Sequence, residues 1–147
     1  MLDYLELFPQ ESLVEDNPLI RCRVAACPRP NRTGWIFYLV NGGDEPLEQA
    51  VLYEVGYEWG DFSNSQEVDE RVSNLAPGQH VLVWRENDNV ELRMYLLFRM
   101  RLQGREARVE FEFPRLYKLT DERLKQIEGL DKRGYEVAVE TRASRPA

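Results

Sequence analysis

GWIFYLVNGGDEPLEQAVLYEVGYEW, residues 34–59, holds two long apolar runs around a turn cluster of Asn41, Gly42, Gly43, Asp44 and Pro46. Runs of this length, rich in aromatic and β-branched residues and bounded by turn residues, form strands. The first is apolar on both faces, with Trp35, Phe37 and Leu39 on one and Ile36, Tyr38 and Val40 on the other. A strand of that kind is covered on both sides and belongs in the middle of a fold. The second alternates. Leu47, Val51, Tyr53, Val55, Tyr57 and Trp59 share one side, with Gln49 the exception, and Glu48, Glu54 and Glu58 share the other. That pattern predicts an antiparallel strand with one face in solvent.

Working outward, residues 90–113 carry the clearest register in the chain. Val90, Leu92, Met94, Leu96, Phe98, Met100 and Leu102 alternate, Gln103-Gly104 makes a two-residue loop, and Ala107, Val109, Phe111 and Phe113 alternate again. Pairing Leu102 with Arg105 sets Met100 against Ala107, Phe98 against Val109, Leu96 against Phe111 and Met94 against Phe113. A slip of one residue would destroy the match. Leu19 to Ala26 and His80 to Arg85 read as further strands. Pro77-Gly78 suits the centre of a type II turn, because Pro presets φ and Gly tolerates a positive one. Gly60 to Gln66 (GDFSNSQ) reads as a loop and Glu67 to Val72 as a short edge strand whose charges blunt edge-to-edge pairing. After Pro114 the pattern predicts a short helix. Thr120 is its N-cap, Asp121 and Glu122 occupy the first turn, Leu124 and Ile127 form the apolar stripe, and Gly129 stops it. Tyr135, Val137 and Val139 mark a last strand.

About eight strands at roughly 10-residue spacing predict an all-β antiparallel sandwich with one short C-terminal helix. The expected organisation is an N-terminal segment (1–18), a core (19–114), a helix and strand packed on the same domain (115–141) and a tail (142–147). VNGGDEPL at residues 40–47 together with NLAPGQHVLVW at residues 74–84 resembles immunoglobulin-like β-sandwich domains. In those, an Asn-Gly turn follows one central strand and a Leu-x-Pro-Gly turn precedes a late one. The resemblance spans roughly residues 19–113 and lies in pattern alone. It implies a fold and a bias toward interaction modules, and it transfers no catalytic residue. The paired core cysteines of antibody domains are absent.

The 147 residues suffice for one domain that buries roughly two-thirds of its unfolded surface. A net charge of -7 repels polyphosphate and so argues against a nucleic-acid partner. The sequence contains no apolar run of 18 residues, hence no expected membrane span. Residues 1–16 carry Asp3, Glu6 and Glu11 and lack the basic region of a secretory signal. Pro9 limits any helix there, and the segment either packs on the sandwich or docks onto another chain. Cys22 and Cys27 would face opposite sides of one strand, which predicts two buried thiols in a reducing, cytoplasmic compartment. With one histidine, they fall short of a zinc site, and no cofactor is expected.

Catalytic signatures are missing from the sequence: there is no phosphate-binding loop, no dinucleotide fingerprint and no nucleophile elbow. His80 reads as an ordinary strand-end histidine. Two surfaces remain. Tyr57, Glu58, Trp59, Asp61 and Phe62, with Glu54 nearby, either divide between core and solvated face or border a ligand cleft. In such a cleft the aromatics would stack on a sugar or polyol while the acids accept its hydroxyls. On the hairpin's outer face, Arg101 meets Glu106, whereas Arg99 opposes Arg108 with Arg93 near by. Like charges directly opposite are destabilising. Either a neighbouring acidic strand with Glu110 and Glu112, or an acidic partner or anion, must neutralise them. The leading expectation is a non-catalytic module that binds another macromolecule, a protein partner above all, and that can pair with itself. The alternative is a carbohydrate- or small-ligand-binding sandwich. An enzyme with paired carboxylates comes third.

Overall fold

The computed structural model describes residues 20–30, 34–87, 91–119 and 121–139. Nine strands occur among them: β1 Cys22–Pro28, β2 Trp35–Asn41, β3 Leu47–Trp59, β4 Phe62–Leu75, β5 His80–Glu86, β6 Arg93–Leu102, β7 Arg105–Phe113, β8 Lys125–Gln126 and β9 Arg133–Ala138. They form two antiparallel sheets, in the orders β5-β2-β1-β9-β8 and β4-β3-β6-β7, and neither closes into a barrel. The predicted hairpin has the expected register, with Phe98 opposite Val109 and Leu96 opposite Phe111. Gln103 and Gly104 both take positive φ, at 53° and 74°. A two-residue turn with that backbone matches the right-handed twist of the strands it joins.

Side chains from both sheets meet in one apolar interior. Val24, Phe37 and Leu39 from the first sheet pack with Leu52, Phe98 and Phe111 from the second. Phe37 meets Phe113 edge-on across the gap, with ring centroids 5.3 Å apart. The other face of β1 and β2 is covered too. Ala25, Cys27 and Val40 form a second cluster with Ile127 and Leu130, and Tyr38 packs against it. The double-sided apolar pattern of residues 35–40 therefore has its physical cause in the C-terminal segment lying over the first sheet.

That segment is not the predicted helix. Leu116–Lys118 and Asp121–Arg123 are single 3-10 turns, and Lys125 and Gln126 pair with Gly134 and Arg133. Leu124 and Ile127, read as one helical stripe, go to different clusters, Leu124 to the main interior and Ile127 to the second. A helix would have put them on one side. A helix of two turns is also too short to hold itself together without tertiary support. The N-cap assigned to Thr120, and the segments 1–18 and 142–147, lie outside the described residues.

Two other expectations change. Gly60–Gln66 is not a loop: only Gly60 and Asp61 turn, and β4 begins at Phe62 opposite Trp59. The short edge strand expected at residues 67–72 is thus a strand of 14 residues. The alternation in β3 is also interrupted, by a register shift between Leu52 and Glu54. Ala50 and Leu52 point inward before it, and Val55 and Tyr57 after it. Val51 and Tyr53 therefore do not share a side with Val55 and Tyr57. A bulge of one residue reverses which parity faces the core.

One buried polar side chain ties the corner regions together. Asn41 is 1% exposed. Its Nδ2 donates to the carbonyls of Glu45 and Leu75, both at 2.9 Å, and its Oδ1 accepts from the Gly43 N–H at 3.0 Å. Its backbone joins the Pro77-Gly78 turn, donating to Gln79 O at 3.0 Å and accepting from Gly78 N at 2.7 Å. That turn is of type II as expected, with Gly78 at φ 82° and Gln79 N bonded to Ala76 O at 3.0 Å. Asn41 thus connects β2 of one sheet to the end of β4 in the other.

Cys22 and Cys27 are free, buried and turned to opposite sides, Cys22 into the main interior and Cys27 into the second cluster. Burial pushes the Cys22 thiol up to about 12 and that of Cys27 up to about 11, against small opposing effects of Arg23 and Lys132. Thiols react as thiolates, so both are inert near neutral pH. Ellman's reagent at pH 8 is expected to find neither in the native chain and both after unfolding in guanidinium. Rapid native reaction at either would contradict the packing described.

Candidate functional site

Trp59 and Phe62 face each other across the Gly60-Asp61 turn that closes the β3–β4 hairpin. Trp59 is 56% exposed and Phe62 53% exposed, and the remaining large apolar side chain in solvent among the described residues is Tyr117, at 41%. Arg115 links two of the three. Its guanidinium lies 4.6 Å from the Trp59 ring centre and 5.1 Å from that of Tyr117. Its Nη2 donates to the Tyr117 hydroxyl at 2.9 Å and its Nε to the Glu91 carbonyl at 2.8 Å. These contacts hold the guanidinium between the Trp59 and Tyr117 rings.

Of the five residues that the sequence groups here, the structure brings Trp59, Asp61 and Phe62 together at the surface. Tyr57 turns inward instead. Its hydroxyl donates to Glu86, whose Oε1 also accepts from Trp84 Nε1 at 2.9 Å. Burial, followed by the Glu86 bond and its charge, raises the Tyr57 hydroxyl well above its ordinary value. It stays protonated and braces β3 against β5 across the two sheets. Glu58 lies on the outer face, 4.0 Å from Arg93. These residues line neither of two open hollows among the described residues. One of those lies along Val72, Leu75 and His80, the other beside Cys22, Gly42 and Val139. His80 begins β5 and meets Tyr38 edge-on, with ring centroids 5.9 Å apart.

The arginine face is more fully compensated than its sequence suggests. Arg99 does stand opposite Arg108, and Arg101 opposite Glu106 with an ion pair of 2.9 Å. Arg93 pairs with Glu112 at 3.3 Å. Tyr53, turned outward by the bulge, lies 4.8 Å from the Arg99 guanidinium and 5.1 Å from that of Arg108, and its hydroxyl accepts from Arg108 Nη1 at 2.7 Å. The electron-rich ring face takes up part of the like-charge repulsion that the register creates.

Sequence reasoning missed Arg115, Tyr117 and Tyr53 as members of these surfaces. Arg115 and Tyr117 follow Pro114 with no periodic pattern, and the contact of Arg115 with Trp59 joins distant parts of the chain. Tyr53 was hidden by the bulge.

Glu54 stands directly opposite Glu67. Burial first, and repulsion by Glu67 second, raise the Glu54 carboxyl above 4.5, with Arg108 opposing. The folded chain therefore binds this proton more tightly than the unfolded one. The Glu54 contribution to stability falls as pH climbs from the ordinary carboxylate value through the raised one, and the loss is complete above it. Glu54→Gln is expected to gain about 0.5 kcal/mol at pH 7, a figure reduced for solvent screening, and nothing near pH 3. Urea denaturation at the two pH values checks this, and a loss at pH 7 would contradict it.

Among the described residues, no group of three or more His, Cys, Asp or Glu side chains could hold a metal ion, and no helix is long and apolar enough to cross a membrane. Comparison of the chain with family models, with characterised proteins and with solved structures found no match in any of the three.

Proposed function

We propose that this chain is a non-catalytic, immunoglobulin-like β-sandwich that binds another macromolecule, a protein, through its Trp59–Phe62–Tyr117 end. One observation carries the reading: the three exposed large apolar side chains of the described residues gather at one end, Trp59 and Tyr117 against Arg115 and Phe62 opposite Trp59. Tryptophan, tyrosine and arginine are the residues that dominate the energetics of protein interfaces. Exposed scattered apolar residues are ordinary, whereas a cluster signals contact. The immunoglobulin-like reading is supported by strand order. The second and fifth strands are neighbours in one sheet, the third, sixth and seventh are consecutive neighbours in the other, and immunoglobulin domains pair the same strands. Two buried free thiols favour a reducing, cytoplasmic setting.

The test is a photo-crosslinking residue placed at position 62, compared with one at position 103, which lies at the far end of the same sheet. A protein adduct from position 62 alone, lost on combining it with Trp59→Ala and Tyr117→Ala, is the expected result. Equal adducts from both positions would overturn it. The exposed Trp59 and Phe62 rings also suit a sugar face. Calorimetric titration with a glycan panel distinguishes the two: heat that disappears in Trp59→Ala would replace the protein partner with a carbohydrate.

A further inference from the structure

Strand β4 is the edge of its sheet, 14 residues long, and among the described residues no strand pairs with its outer side. An edge of this kind presents a row of backbone donors and acceptors to any extended chain. Its two rows of side chains differ. Val68 and Val72 lean on the apolar interior, as their parity with Phe62 requires, and Glu70 shares their row opposite Leu52, whereas Glu67 and Asp69 lie on the outer face. The charge is one-sided as well. Strand β4 carries three acids, Glu67, Asp69 and Glu70, against one base, Arg71, and the turn before it adds Asp61. Asp69 is paired with Arg71 at 2.9 Å, and Glu58 reaches Arg93 only at 4.0 Å. Asp61, Glu67 and Glu70 have no ion pair among the described residues. The acidic excess of two such edges disfavours a second copy of this chain as the natural occupant and favours a cationic one.

We infer that the outer edge of β4 takes an extended basic segment of a partner protein as an added strand, its cations over Glu67 and its neighbouring acids and its alternate apolar side chains beside Phe62 and Val68. Backbone pairing supplies affinity and the alternating rows supply specificity, as in other strand additions. This deepens the binding-module reading, since Phe62 belongs to both the edge and the aromatic end.

The probe is a synthetic ten-residue peptide alternating Lys with Val, alongside a Glu-for-Lys counterpart and a version of the parent N-methylated at alternate residues. Binding is read from amide shifts of the isotope-labelled full chain and from titration at two salt concentrations. The parent peptide is expected to shift amides of residues 62–72 and to weaken with salt. Loss of about tenfold in affinity is expected in Glu67→Gln/Asp69→Asn, and similarly on N-methylation. Equal binding of the Glu peptide, equal binding of the N-methylated peptide, or shifts confined to other strands would overturn the proposal. So would light scattering that shows a dimer abolished by Glu67→Gln/Asp69→Asn. If the Lys peptide fails while crosslinking from position 62 still captures a partner, the edge inference falls and the binding end stands.

Discussion

Phe37→Ala is expected to remove about 4 kcal/mol of folding stability. Phe37 has no exposed surface, and its ring meets Phe113 of the opposite sheet edge-on. Truncation would therefore withdraw buried apolar area and leave a cavity where the two sheets touch, and both effects add. A small domain has only about 5–15 kcal/mol to lose, so the variant would unfold at a markedly lower denaturant concentration. Phe37→Leu keeps most of the volume and is expected to cost about 1.5 kcal/mol. Urea denaturation of the pair checks both. A loss below 1 kcal/mol for the alanine variant would mean that the sheets do not meet there.

Asn41→Ala is expected to cost about 3 kcal/mol, although it removes only a few atoms. The amide satisfies two carbonyls, those of Glu45 and Leu75, and one N–H, that of Gly43. Deleting it strands these groups away from water, and the desolvation of each goes uncompensated. Asn41→Asp gives a sharper test. A carboxylate cannot donate to either carbonyl and carries charge into a buried site. The folded protein would hold it protonated more strongly than the unfolded chain does. Its deficit is therefore expected to be large at pH 7 and to shrink as the pH is lowered toward 4. An aspartate variant equally stable at both pH values would show that the amide is not the buried link between β2 and β4.

What could be read from the sequence followed from the physics of alternation. Where inward residues recur without a miss, as from Met94 to Leu102 and from Ala107 to Phe113, register is fixed locally, and the structure has it residue for residue. The two-sided apolar run at Trp35–Val40 likewise announced cover on both faces. Departures arose where one residue decides a parity or where distant segments supply the environment. The bulge at Tyr53 leaves no mark in composition, yet it moved that ring from the expected core side to the arginine face. Leu124 and Ile127 fit a helical stripe as well as they fit two clusters on opposite sides of a sheet, and only tertiary packing separates these outcomes. At the candidate site, Trp59, Asp61 and Phe62 were visible as a group because they are adjacent in the chain. Arg115 and Tyr117 were not, because nothing local links them to Trp59. The polar composition of residues 60–66 suggested a loop, whereas pairing with β3 makes most of it a strand.

Central to this account is that Trp59 and Phe62 are dispensable for folding and lie exposed at the hairpin end for contact. Equilibrium urea unfolding of Trp59→Ala/Phe62→Ala beside the unaltered chain tests that claim most directly. Both rings are more than half exposed, so the account predicts a loss of about 1 kcal/mol or less, within the range of an exposed cross-strand pair. A loss of about 3 kcal/mol or more, the size expected for a core aromatic, would contradict it.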